Sequence, residues 1–178
     1  MEIRDPIHQF ITLSKLEQRV IDTAPVQRLR HIHQLSLTYL VYPGAVHTRF
    51  EHALGTMELA GRAFDSALRN SNQDFLGDIG LGDNESRARA RTLVRLAGLL
   101  HDVGHSPFSH GPEELFPQDA DGSKIRHEHL TARLIEDSEI TEALRTPVTG
   151  VDPSEVAALA VGSEYREISD PLLRLLSD

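Results

Sequence analysis

The sequence predicts an all-α fold. Two observations carry this. Apolar residues recur at helical spacing through most of the chain, and only one short stretch is β-prone. A third observation bounds the result: 178 residues suit one domain with a real core. No internal repeat, low-complexity tract or domain boundary interrupts residues 1–178.

Residues 12–22 place Leu13, Leu16, Val20 and Ile21 on one helical face. Residues 25–35 do the same with Val26, Leu29, Ile32 and Leu35, and Pro25 suits a first turn. Thr38-Tyr39-Leu40-Val41-Tyr42 is β-prone and ends at Pro43-Gly44, so a short hairpin or extended segment is expected near 38–43. Residues 49–69 form a long helix through Leu54, Met57, Leu59, Ala60, Ala63, Phe64 and Leu68. Residues 70–86, rich in Asn, Asp, Gly and Ser, read as a surface loop. The helix over 87–103 is strongly apolar and stops at Gly104. Residues 105–126 are irregular, with Pro107, Pro112 and Pro117. Helices follow at about 127–137, 139–146 and 153–160, and Leu172, Leu173, Leu175 and Leu176 start another.

Composition excludes several functions. The chain has no Cys, so it has no disulfides, no thiolate metal ligand and no thiol nucleophile. With 18 Lys+Arg against 27 Asp+Glu, the net charge of −9 argues against broad binding to nucleic acid or anionic membranes. No apolar run reaches the roughly 18–20 residues of a membrane span, and the N-terminus lacks a signal-peptide apolar region. A cytoplasmic location is expected.

The ten histidines are clustered. His31, His33, His47 and His52 form one group, and His101, His105, His110, His127 and His129 another. His is the commonest neutral metal ligand and the usual acid–base group near neutral pH. The sharpest feature is His101-Asp102 at the end of an apolar helix. Adjacent helical residues point about 100° apart, so both reach one ion in the sector between them. A cation also offsets the cost of a buried carboxylate. His47-Thr48-Arg49-Phe50-Glu51-His52 and His127-Glu128-His129 open two more helices, which suggests convergence on one pocket.

These stretches resemble a known family. Asp5-Pro6-Ile7-His8, Ile21-Asp22-Thr23, Gln27 to Arg30, Gln34-Leu35, Tyr42 to Gly55, His101 to His110 and His127-Glu128 are similar to the HD-domain phosphohydrolases, in particular the deoxynucleoside triphosphate (dNTP) triphosphohydrolases. The resemblance implies an HD-domain helical fold and a dNTP substrate. It also implies a divalent metal (Mn, Mg, Fe, Zn or Ni) on His52, His101 and Asp102, a donor set suited to such ions. The family's remaining Asp ligand lies in a motif that has no counterpart here, so the chain is expected to stop before it. Homo-oligomers are typical of the family.

The resemblance further implies His105 and His127 as active-site histidines that stabilise phosphate charge or protonate a leaving oxygen. His110 is a helper, or equally a turn-stabilising residue. Arg49 lies on the His52 face and is a phosphate ligand or a surface ion pair. Gln34 and Leu35 match deoxyribose contacts, and Asp22, Gln27 and Arg30 match a regulatory nucleotide site. Two other readings stay open: an HD phosphohydrolase for monophosphates or signalling nucleotides, and an inactive metal- or nucleotide-binding module.

Overall fold

The computed structural model describes residues 1–108, 111–118, 122–145, 150–163 and 165–177. The chain opens with an antiparallel hairpin, β1 (Glu2–Asp5) and β2 (Gln9–Thr12), in which Ile3 faces Ile11. Asp5 Oδ1 closes its turn by accepting the Ile7 and His8 N–H groups at 2.9 and 2.7 Å. Four-residue strands are too short to stand out by alternation. The stretch expected to be extended near 38–43 instead holds a 3-10 turn at Thr38–Leu40. Among the described residues, its β-branched and aromatic side chains pair with no strand. Thr38 O accepts from the Val41 and Tyr42 N–H groups at 3.0 and 2.8 Å, leaving Leu40, Val41 and Tyr42 exposed.

Helix α1 (Lys15–Ile21) starts at a capping box, with Glu17 N–H on Ser14 Oγ at 3.2 Å and Ser14 N–H on Glu17 Oε2 at 2.7 Å. The helix expected over 25–35 is shorter: α2 (Ala24–Gln27) tightens into a 3-10 turn at Arg28–His31 and ends. Tertiary hydrogen bonds decide this. Ile32 O accepts the Arg49 N–H at 2.8 Å and the Gln34 N–H reaches His47 O at 3.0 Å, which holds Ile32 extended. Helix α3 (Arg49–Asn70) follows that bridge directly. The segment expected as a loop over 70–86 includes a short helix, α4 (Gln73–Asp78), whose Leu76 joins Phe64, Leu81 and Ala90 in a small satellite core.

Helix α5 (Asn84–Leu100) runs antiparallel to α3, as paired contacts at three levels show. Arg91 forks onto Asp65 at 2.8 and 2.9 Å, Arg95 packs on Gly61, and Gly98 faces Thr56, Met57 and Ala60. A Cβ at Gly98 would lie 3.1 Å from Thr56 O and 3.2 Å from Met57 Cα, so glycine sets the closeness of this crossing. Helices α6 (His127–Glu136), α7 (Glu139–Leu144), α8 (Pro153–Val161) and α9 (Pro171–Ser177) complete the described fold. Val20, Leu29, Met57, Leu93, Leu96, Leu99, Leu100, Ile135, Ile140, Leu144 and Val156 meet in one fully buried core.

Candidate functional site

The α3–α5 pair brings the N-terminal turn of α3 against the C-terminal end of α5. This puts His52 beside His101, with their Nε2 atoms 3.2 Å apart. Asp102 reaches both: its Oδ2 lies 3.7 Å from His52 Nε2 and its Oδ1 3.4 Å from His101 Nε2. The donor atoms of these three side chains lie within 4.8 Å of one another. The donor chemistry fits a divalent cation. His101 Nδ1 lies 2.9 Å from Gly98 O, which can only accept, so Nδ1 carries the proton and Nε2 keeps its lone pair toward the cluster.

Arg49, in the first turn of α3, gives Nη1 to Asp102 Oδ2 at 2.5 Å, and both side chains are buried. On the other side of Asp102, His105 Nε2 lies 3.3 Å from Oδ1. The His105 ring stacks on His127, with centroids 3.7 Å apart and planes inclined by 20°. His127 Nδ1 in turn lies 2.7 Å from Glu113 Oε1. Asp102, His105 and His127 form a second group of donors within 4.8 Å.

Burial and neighbouring charge pull these groups in opposite directions. For Asp102 burial is the largest influence and raises the carboxyl, but the His105 hydrogen bond and the fields of His101 and Arg49 outweigh it. The carboxyl stays well below the usual carboxylate range. Burial pushes the His52 imidazole down, and the neighbouring His101 adds to this while Asp102 opposes it. Burial also lowers His105, against the opposing Asp102 contact. Both imidazoles are thereby biased toward the neutral form that binds a metal.

The cluster lies in a cleft of about 490 Å³. Arg49, His52, His101, Asp102, His105 and His127 line it together with Gln34, Leu35, Ser36 and Thr38. A family model described as HD domain matches residues 49–175, from the Arg49 turn into α9. The chain belongs to the HD-domain family. It is 40% identical over 146 residues to the deoxynucleoside triphosphate triphosphohydrolase SAMHD1 of Xenopus laevis, an alignment that covers 79% of this chain and 22% of that protein. It is 38% identical over 156 residues to the uncharacterised protein YwfO of Bacillus subtilis, covering 86% of this chain and 31% of the relative. A crystal structure of a hypothetical protein from Aquifex aeolicus superposes with a TM-score of 0.74 at 36% identity, over 99% of this chain and 40% of that one. The chain thus spans between about a fifth and two fifths of the length of these relatives.

Of the residues expected from the sequence, Gln34, Leu35, Arg49, His52, His101, Asp102, His105 and His127 line this cleft. His110 lies outside the described residues. Asp22, Gln27 and Arg30 do not line the cleft. Gln27 gives its amide to Ile21 O at 2.9 Å and accepts from Arg30 Nε at 2.7 Å, and the Arg30 guanidinium covers the Phe50 ring. Sequence reading missed Glu113, which holds His127, and the hydroxyl-bearing Ser36 and Thr38 in the cleft lining. Glu113 had a usable signal, an acid three residues from His110 in the His-rich run. Among the described residues, no helix is long and apolar enough to cross a membrane.

Proposed function

We propose that this chain carries the catalytic centre of a metal-dependent phosphohydrolase that converts a dNTP to the deoxynucleoside and inorganic triphosphate. The observation that carries the reading is the meeting of His52, His101 and Asp102 with Arg49, His105 and His127 in one cleft. Similarity to the triphosphohydrolases named above supports the substrate class. His52, His101 and Asp102 would hold the cation, which when bound supplies Lewis acidity toward a phosphoryl oxygen and acidifies a water.

The chain's own residues do the rest. Phosphoryl transfer demands mainly positioning and charge neutralisation. Arg49, anchored on Asp102, presents a planar guanidinium to phosphate oxygens. His105 and His127 face the phosphates from the far side of Asp102, where they orient the chain and offset its charge. Water attacks the α-phosphorus, the bond from phosphorus to the sugar 5′-oxygen breaks, and that oxygen takes a proton from His127, which, protonated between Glu113 and Glu128, gives it up and is recharged by the proton the water loses. Gln34 and Leu35 form the wall that meets the sugar.

The same reading assigns a homo-oligomeric, cytoplasmic protein, with Asp22, Gln27 and Arg30 at a regulatory nucleotide site. The decisive experiment incubates the protein with each dNTP and Mn²⁺ or Mg²⁺ and separates the products. Deoxynucleoside plus triphosphate is the expected result. Release of pyrophosphate or single phosphate, with no triphosphate, overturns the reaction.

A further inference from the structure

Helix α6 carries His127 but shares no chain segment with the His101–His105 turn on which His127 stacks. Besides that stack, the Thr131 side chain joins the two. Thr131, one turn after His127, is fully buried. Its Oγ1 accepts the Gly104 N–H at 3.0 Å and donates to His101 O at 3.3 Å. The hydroxyl thus grips the backbone on both sides of Asp102. A second, independent observation marks the same joint. A Cβ at Gly104 would run into His127 O, Thr131 N and Thr131 Oγ1, so the start of α6 lies directly on the Gly104 backbone. Gly104 does not have a positive φ, and its requirement is space.

We propose that Thr131 is a positioning residue that sets the stack of His127 on His105, and through it the distance from the phosphate-facing imidazoles to Asp102. The inference rests on the functional reading above, in which His105 and His127 act on the phosphates. Its physical logic is that a buried hydroxyl with both a donor and an acceptor partner fixes translation along the helix. Apolar packing alone tolerates sliding. His52, His101 and Asp102 are carried by α3 and the end of α5, whereas His127 is carried by α6, so loosening α6 shifts His127 and its stack on His105 more than the three metal donors.

The test compares Thr131→Val, which keeps the shape and removes both hydrogen bonds, with Thr131→Ser, which keeps the hydroxyl. Metal content, kcat, KM and imidazole ¹H–¹⁵N spectra are measured on the intact protein. T131V is expected to lower kcat by about 10- to 100-fold with little change in KM or metal content. It also shifts the His105 and His127 resonances, while T131S restores kcat to within about threefold. Should T131V fail to fold, Thr131→Ala replaces it with the same expected signature. Wild-type kcat in the hydroxyl-free variant, or parallel loss of metal and turnover, overturns the inference. The spectra separate the two readings. A wild type that hydrolyses no nucleotide while T131V still displaces the two imidazoles sinks the proposed reaction and leaves the positioning role standing. Unmoved imidazoles in an active wild-type background sink the positioning role alone.

Discussion

Asp102 is the residue on which the site turns, because it touches Arg49, His52, His101 and His105 at once. Removing one partner from a buried charge pair leaves the other uncompensated, which costs far more than losing a surface pair. Asp102→Ala is therefore expected to do two things: release the Arg49 guanidinium from its partner and lower divalent-metal affinity by at least about 100-fold. Elemental analysis after dialysis checks this, and unchanged metal content removes Asp102 from the donor set. Arg49→Lys keeps the charge but loses the planar fork. It is expected to lower kcat/KM by about 100-fold with metal content retained, since one bidentate contact is worth a few kcal/mol. Equal kcat/KM in the two proteins would falsify the phosphate role.

At the scale of elements, the site exists because α3 and α5 cross closely. His52 sits one turn before Thr56, and His101 follows Gly98 by three residues. The helix contact at Gly98 therefore lies directly beneath the donors. Gly98→Val would force the helices apart, at a cost of about 1–3 kcal/mol. Chemical denaturation is expected to show the lower midpoint. Metal affinity should fall with it, because the two imidazoles belong to different helices. A variant that loses stability but keeps full affinity would show that the donors tolerate a wider crossing.

At the scale of the molecule, a buried charge network around Arg95 ties the N-terminal hairpin and α1 to the α3–α5 pair. Its Nε meets Glu17 Oε1 on α1 at 2.5 Å, Nη1 meets Glu58 Oε2 on α3 at 3.0 Å, and Nη2 reaches Thr12 O of the hairpin at 3.1 Å. One guanidinium thus joins the hairpin, α1, α3 and α5. Burial raises the Glu17 carboxyl, but the Arg95 hydrogen bond and charge, with the Ser14 contacts, outweigh it and leave it below its ordinary 4.5. A carboxyl depressed on folding stabilises the protein above its unfolded value, and that contribution is lost as pH falls through the folded value. Thermal midpoints are therefore expected to fall as the solution is acidified below 4.5. Glu17→Gln should flatten part of that dependence and lower stability at neutral pH by about 3 kcal/mol. An unchanged pH profile in the variant assigns the acid sensitivity to other carboxyls.

The sequence by itself determined the helical class, the span of α3, the body of α5 (expected over 87–103, found at Asn84–Leu100) and the histidine-bearing helix ends that meet in the cleft. Each of these is written in local spacing: apolar residues three and four apart, or a donor cluster where an apolar run stops. Tertiary structure alone decided the rest. Residues 25–35 carry a helical pattern, yet Ile32 is extended because its carbonyl is claimed by Arg49 N–H. Arg95 looks like a surface residue until its three partners arrive from segments 37, 78 and 83 residues away. Thr131 is one hydroxyl on an amphipathic helix, and its partners His101 and Gly104 lie 30 and 27 residues earlier. Local periodicity records which face a helix buries. It carries no record of which buried polar atom will meet which, because that depends on how distant elements approach.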